Sequence, residues 1–476
     1  MRVHFSLSDR TTETLRREVI PGDLTPVVIN KFRGLAAAAL SLVFALPVAA
    51  QVGDLSSYQG PGIMSPGVGN VGQRGGQQVE LRVFGGVSGF YDTNPQATVV
   101  DSNGNLLKAS DLYGVQLDFG AYGSHDFRAS KLSLDYHGDY RHATVASYDS
   151  TDHSLTLGYT LQVSRRVVLD LRGSVGSLKT GFGGVADTAT SASTDALSPS
   201  ALFFDTRTYY AQSTAAVTFL TSARTSVTVN GSGFLRDYTS GGLGLANTYG
   251  YALGGSVNRR LSKDTTIGVS YQRSYFETSG LGSQSTSNAY LGTLAATLGR
   301  LWTFNLQAGV TDVSVANSFS ITLSPLAAAI LGQSSLTGVA SARHYYPSGS
   351  AELRRTFQRA SVSFRYERKI NSGNGLFTTL RTENAGASLN YTAIRKVSLS
   401  VYGNYNNSIS LDAVGERYRQ IDAAIGGSYN LGHDLHITAR VGYRDQNVPN
   451  GIYSLRGSQS SLGLTFSPGR SPLAIW

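Results

Sequence analysis

The sequence predicts an all-β fold, a transmembrane antiparallel up-and-down β-barrel of about 18 strands, within a range of 16–20, and three observations support it. From Gln420 to Arg444, apolar and polar residues alternate with a period of two on either side of a turn at Gly432 to Asp434. Each arm keeps the alternation for about ten residues, the length that a tilted strand needs to cross a bilayer. Similar arms recur from Val79 to Phe466. The sequence therefore predicts a membrane-spanning hairpin that is repeated along the chain.

The composition also separates the chain from soluble domains. It holds 54 Gly, 26 Tyr and no Cys in 476 residues, and only 15% of its residues are charged. Soluble domains average about 25% charged residues, so much of this surface is not expected to face water. The absence of Cys excludes disulfides. The formal net charge is +9, but the basic residues are scattered singly, so no nucleic-acid partner is predicted.

The N-terminal region predicts export. An apolar run from Gly34 to Ala50 follows Lys31 and Arg33, which fits a secretory signal cleaved after Ala50. The alternative is an N-terminal transmembrane anchor, for which the run is short. The predicted organisation is a signal peptide with an extended n-region at 1–50, a flexible Gly/Pro-rich periplasmic lead at 51–78, the transmembrane barrel at 79–466, and a C-terminal tail at 467–476 that ends in Trp476.

Alternation places strands along the whole barrel region. Five alternating stretches precede residue 180, and the first begins at Val79. Further arms are predicted at about 207–220, 225–237, 247–260, 265–278, 287–299, 302–314, 348–358, 360–371, 376–392, 396–409, 417–431, 434–447 and 454–466.

The connections fall into two classes that alternate along the chain. Short turns lie at Ser164 to Arg166, Ser222 to Thr225, Ser262 to Asp264, Gly299 to Leu301, Gln358 to Ala360, Ile394 to Lys396 and Gly432 to Asp434. Long loops lie at about 92–111, 179–206, 238–247, 316–346 and 447–453. Short periplasmic turns opposite long extracellular loops are typical of bacterial transmembrane barrels, so both ends of the barrel are expected on the periplasmic side.

Physical chemistry favours closure of this sheet. In lipid every backbone polar group must be bonded within the protein, so no strand edge can stay free. A closed sheet of about 18 strands has a lumen too wide for side chains to fill. Alternate residues of a strand form two sets, each on its own face of the sheet, and we call each set a parity. The apolar parity of each strand should then face lipid, and the polar parity should face water.

The C-terminal end carries a resemblance. Leu462, Leu464 and Phe466 close the last strand in an alternating, aromatic-terminated form, and the chain ends at Trp476. Residues 79–476 resemble a bacterial outer-membrane β-barrel of the porin-like kind, within an uncharacterised group. The resemblance implies a location in the outer membrane, contacts with its lipid and lipopolysaccharide, and recognition of these four residues by the barrel-assembly machinery. Residues 467–474 depart from the pattern, so either Phe466 is the signal or the tail packs back at the rim.

The polar parity supplies the candidate pore-lining residues. They are Arg82, Lys131, Asp135, His137, Asp139, Arg141, Asp170, Arg172, Glu352, Arg354, Arg365, Glu367, Lys369, Asp422, His436, Arg440 and Arg444. The basic members of two groups, Arg365 with Lys369 and Arg440 with Arg444 and His436, predict positive stretches of wall that favour anions. The alternative is that neighbouring carboxylates neutralise them.

No catalytic residue, metal site or cofactor is predicted. Asp135, His137, Asp139 and Arg141 form the densest ionisable cluster, either as an acid/base group or as a solvated wall. Catalysis needs a nucleophile or an activated water near an oriented base, which one strand does not show. No pair of His residues has metal-ligand spacing.

The predicted function is passive diffusion of small hydrophilic solutes, with a weak preference for anions, by a monomer or a homotrimer. The first alternative is an outer-membrane exit for exopolysaccharide or other export, which would need periplasmic partners. A barrel-type hydrolase ranks third. A loop folded into the lumen could constrict it, and 181–205 and 317–346 are the candidates, the second with a short apolar helix at Leu323 to Leu331.

Overall fold

A computed structural model shows a closed barrel. It describes residues 79–94, 99–100, 106–107, 111–145, 148–179, 207–239, 246–279, 282–299, 301–322, 335–372, 378–392, 394, 396–411, 417–432, 434–448 and 453–467. The predicted signal peptide, the periplasmic lead, Trp476 and the predicted helix at Leu323 to Leu331 lie outside these residues. Among the described residues, no helix is long and apolar enough to cross a membrane.

Twenty strands are described, of which β2 and β3 form a small separate pair. Their bounds are β1 Val79–Asp92, β2 Val99–Val100, β3 Leu106–Leu107, β4 Leu112–Asp126, β5 Ser130–Ala143, β6 Ser150–Ser164, β7 Val167–Leu178, β8 Thr208–Leu220, β9 Thr225–Tyr238, β10 Thr248–Arg260, β11 Thr265–Thr278, β12 Ser283–Leu298, β13 Trp302–Thr322, β14 Ser335–Thr356, β15 Ala360–Ser372, β16 Thr379–Tyr391, β17 Val397–Ser410, β18 Arg417–Gly432, β19 Leu435–Val448 and β20 Tyr453–Phe466.

The other 18 strands form one antiparallel sheet in which consecutive barrel strands are neighbours. The sheet closes because β1 pairs with β20 on one side and with β4 on the other. At this seam Phe466 lies opposite Gly85, while on its other edge it lies opposite Leu435. The predicted fold class and the count of about 18 strands are confirmed.

The tight turns have the backbone that short hairpins need. Lys396 and Asp434 adopt positive φ angles of 66° each, and Gly299 and Gly432 adopt 68° and 119°. Two-residue hairpin turns that match the twist of the sheet require positive φ. All four residues lie in connections that the sequence predicts to be short.

The outward face of the barrel is apolar. On β20 the side chains of Leu462, Leu464 and Phe466 are 63%, 46% and 48% exposed, and the same parity of β18 exposes Ile425 and Tyr429. Apolar exposure on this scale is found where a surface meets lipid or a partner. Because single-chain antiparallel barrels of this kind span the bacterial outer membrane, that is where this chain is placed.

Aromatic and basic side chains meet on the outward face near the short turns. The guanidinium of Arg355 lies 4.9 Å from the ring centre of Trp302 and 4.4 Å from that of Phe357. The amphipathic ring of Trp is enriched at the headgroup level of a membrane. The contact therefore marks the periplasmic boundary of the apolar band.

One long loop is predicted wrongly. The expected loop at 316–346 is strand as far as Thr322 and again from Ser335, and β13 pairs with β14 over this whole extension. Pairing of β14 with β15 stops at Gly349, so the extended hairpin leaves the barrel wall there. Pro347, which has no N–H to donate, lies next to that point, as expected for Pro at a strand edge.

Candidate functional site

The candidate site is the inward face of the barrel wall, on the parity opposite the lipid-facing residues. All the predicted pore-lining residues lie on this parity, as the pairing registers show for each strand. The registers also divide the wall by charge into two sectors. We call β17–β20, β1 and β4–β6 the acid-rich wall, and β7–β16 the base-rich wall.

In the acid-rich wall, carboxylates outnumber basic groups. Its described inward residues include Asp92, Asp118, Asp126, Asp135, Asp139, Asp152 and Asp422 against Arg82, Lys131, Arg141, Arg440 and Arg444. Many of these side chains are buried. Asp92, Asp118, Arg141, Asp152, Asp422 and Arg440 are all in this class.

Arg141 is the centre of one half of this wall. Its guanidinium lies 4.5 Å from the ring centre of Phe90 and donates to the side-chain oxygen of Gln116 at 3.5 Å. Gln116 in turn donates to Asp118 at 2.8 Å. Asp139, Asp92 and Asp152 act electrostatically on Arg141. This arrangement holds a buried cation among carboxylates, as a charge inside a protein requires.

A second network crosses the seam of the barrel. Arg444 on β19 donates to Asp92 on β1 at 2.7 Å and to the carbonyl oxygen of Asn94 at 3.2 Å. The carboxylate of Asp92 is only 2% exposed. Since β20 lies between these two strands, this ion pair ties the two ends of the closed sheet together independently of the backbone ladder.

The third part of the acid-rich wall is a chain of hydrogen bonds. Tyr418 donates to Gln420 at 2.7 Å, and Gln420 donates to Asp422 at 2.5 Å. Arg440 donates to the hydroxyl of Tyr402 at 2.5 Å. Two of the groups predicted to make a positive stretch, Arg440 and Arg444, are thus committed to protein partners.

His436 occupies a different position from Arg440 and Arg444. It is fully buried near the periplasmic end of β19, where its Nε2 lies 3.2 Å from the carbonyl oxygen of Ser467. The side chain therefore contacts the start of the C-terminal tail. The sequence groups it with two arginines by parity alone, and parity carries no information about depth along the strand.

In the base-rich wall the balance is reversed. Its inward ionisable residues include Arg172, Arg236, Arg260, Arg354, Arg365 and Lys369 against Asp170, Glu352 and Glu367. Most of these are half-buried or exposed, Arg236 excepted.

Glu367 is shared by two cations on β15. It accepts from Arg365 at 3.3 Å and from Lys369 at 3.0 Å. The carboxylate neutralises one of these charges, so the trio keeps one excess positive charge. The side chains of Arg365 and Lys369 remain 37% and 23% exposed. This is the part of the predicted positive wall that stays open to solvent.

The residues of the predicted acid/base cluster on β5 make the following contacts. The ring of His137 packs against that of Phe84, with their centres 5.6 Å apart. Arg141, as described, is engaged with Gln116 and Phe90. Among the residues that the structure describes, no group of three or more His, Asp and Glu side chains converges to hold a metal.

Several important partners were missed by the sequence. Asp92, Asp152 and Gln116 lie on the polar parity of their strands, so alternation could have included them. Their pairing with Arg444 and Arg141 could not be found from alternation, because it depends on which strands become neighbours when the sheet closes.

The residues assigned to assembly are divided by the structure. Leu462, Leu464 and Phe466 lie together on the outward face of β20 and point away from the lumen. Trp476 lies outside the described residues. Their recognition by the assembly machinery stays a prediction.

Comparisons with known proteins give only structural likeness. No protein-family model matches the chain, and no curated protein is similar to it. It is similar to the solved structure of Pseudomonas aeruginosa OccK5, with 10% identity, 82% of this chain and 98% of that chain covered, and a TM-score of 0.38. For Acinetobacter baumannii OccAB3 the identity is 10%, the coverage is 82% of this chain and 99% of that chain, and the TM-score is 0.36. For the copper transporter OprC the identity is 11%, the coverage is 83% of this chain and 66% of that chain, and the TM-score is 0.42.

Proposed function

We propose that the chain forms a water-filled channel in the bacterial outer membrane, through which small hydrophilic solutes diffuse passively. The observation that carries the proposal is the closed sheet of 18 strands with an apolar outward parity and a charged inward parity. A barrel of 16–18 strands encloses more space than its side chains fill, and a charged wall in that space is stable only when it is hydrated or paired.

The solute path follows the base-rich wall. Asp170, Arg172, Glu352, Arg354 and Arg365 are half-buried, whereas half of the charged groups named above for the acid-rich wall are buried. Charges that contact water interact with passing ions, while paired and buried charges contribute little to the field in the lumen. The excess of basic groups on the open side therefore supports a weak preference for anions.

Two alternative functions are a hydrolase and an export device. Among the described residues, no contact supports either of them. A hydrolase needs a nucleophile held by an oriented base, and His137 packs on Phe84 instead. An export device needs a periplasmic partner surface, and the lead segment at 51–78 lies outside the structure.

Solute uptake by liposomes tests this function. Protein folded into phosphatidylcholine vesicles should let them swell in iso-osmotic arabinose, and more slowly in a tetrasaccharide, because a pore of fixed width sieves solutes by size. Heat-denatured protein added to the same vesicles is the control. Vesicles that hold folded protein but exclude arabinose would contradict passive diffusion.

A further inference from the structure

We infer that the outward face of β18–β20, just above the apolar band, binds the phosphate groups of an outer-leaflet glycolipid through Arg417 and Arg419 on β18, with Arg456 two strands away on β20. This site faces the membrane and not the lumen, so it is separate from the proposed solute path. The occupant is a phosphorylated lipid headgroup of the lipopolysaccharide type.

The position of the two arginines along β18 gives the first argument. Outward residues of this strand are apolar or small from Ile421 to Tyr429, and Arg419 is the next outward residue beyond Ile421. Arg417 follows two residues further out on the same parity. Both lie at the rim of the long loops, which is the extracellular side, so their guanidinium groups are at the level of the outer-leaflet headgroups.

Aromatic side chains locate that level on the neighbouring strands. Tyr405 on β17 and Tyr443 on β19 are outward and about 40% exposed, at 39% and 43%. In the pairing register Tyr405 is opposite Ile421 and Asn407 is opposite Arg419. Tyrosine concentrates at the membrane–water interface, so the row that contains Arg419 lies immediately above the girdle.

The second argument is charge. Arg417 and Arg419 are exposed, and neither forms an ion pair or a side-chain hydrogen bond with another described residue. Among the described residues, the outward carboxylate of the neighbouring strand β19 is Asp445, and it is already engaged, because Arg456 donates to its Oδ2 from Nε at 3.2 Å and from Nη2 at 2.8 Å. Two guanidinium groups at headgroup level therefore lack a counter-charge within the described sheet.

The chemistry of the set fits a phosphate. Guanidinium groups bind phosphate oxygens bidentately, and Arg456 remains 71% exposed beside its carboxylate. The outward charges of the long hairpin of β13 and β14 are balanced. On β13 and β14 Asp312 is held by Arg343 through two bonds of 2.8 and 2.6 Å. On β18–β20, by contrast, Arg417, Arg419 and Arg456 face one described carboxylate, Asp445, which leaves two excess positive charges.

The test measures retention of a defined lipid. Folded protein in a neutral detergent is mixed with a bisphosphorylated lipid A or with the same lipid after dephosphorylation, and bound lipid is quantified after size exclusion. The full chain should bind the phosphorylated lipid about 30-fold more tightly, the effect expected for two basic groups near a headgroup layer. Equal retention of both lipids would overturn the inference without any variant.

Matched variants locate the site. Arg417→Gln with Arg419→Gln should remove the preference for the phosphorylated lipid, whereas Arg165→Gln with Arg166→Gln should keep it. The control pair is also two exposed arginines, in the short turn at the opposite rim. Loss of the preference in both pairs, or in neither, would contradict the assignment. Heat-modifiable gel mobility verifies that each variant is folded, and liposome swelling should be unchanged, which separates this inference from the proposed channel.

Discussion

Replacing Asp92 with Asn should lower the free energy of unfolding of the barrel by about 3 kcal/mol, because it leaves the guanidinium of Arg444 partly buried without its counter-charge. The pair joins β19 to β1 across the seam at 2.7 Å, and Asp92 is almost completely buried. Urea titration of protein folded in lipid bilayers, followed by tryptophan fluorescence, measures the change.

Two further variants test the reason for that loss. Asp126→Asn breaks an ion pair with Lys131 that is longer, at 3.6 Å, and more exposed, so it should cost less than about 1 kcal/mol. Asp92→Asn combined with Arg444→Gln removes both charges and should cost less than Asp92→Asn alone, since no uncompensated charge stays buried. If the double variant is as unstable as the single one, the seam pair does not act as described.

Replacing Arg365 and Lys369 with Gln should move the reversal potential in a KCl gradient toward cation selectivity. Both side chains are inward and partly exposed on the base-rich wall. A unit charge about 4 Å from an ion in water contributes on the order of 1 kcal/mol, so each of the two removed charges should change the permeability ratio by about fivefold or less. Planar-bilayer recordings at matched protein insertion measure this ratio.

The structure also supplies the controls for that selectivity. Glu367→Gln should shift the potential in the opposite direction, because it removes the carboxylate that both cations share. Arg440→Gln should shift it less than the double variant, since Arg440 is buried and donates to Tyr402. A larger shift from Arg440→Gln than from the pair on β15 would place the open path on the acid-rich wall instead.

Much of the fold could be predicted from alternation alone. The predicted arm at 265–278 matches β11, and the arm at 417–431 ends one residue before β18 does. Lipid on one side of the strand and water on the other impose an alternation of apolar and polar residues with a period of two. This alternation can be recognised in a single sequence. The extension of β13 and β14 was missed, because outside the bilayer a hairpin needs no apolar face.

The site could be predicted only by parity. Alternation assigned Arg440 and Arg365 to the same inward face, but it could not show that one is paired with Tyr402 while the other stays open to water. Depth and partners depend on closure of the sheet, which brings Asp92 and Arg444 together across 352 positions. Of the two predicted positive stretches, the one on β19 is therefore engaged with protein partners, and the one on β15 stays open to solvent.

Single-channel recording in a planar bilayer tests most directly whether the inward face encloses a continuous aqueous path. The purified, folded chain should produce discrete and stable current steps in symmetric KCl, with a current that rises linearly with voltage. In a salt gradient the reversal potential should have the sign of an anion-preferring pore. Folded protein that inserts into the bilayer and passes no current above the baseline would contradict the account.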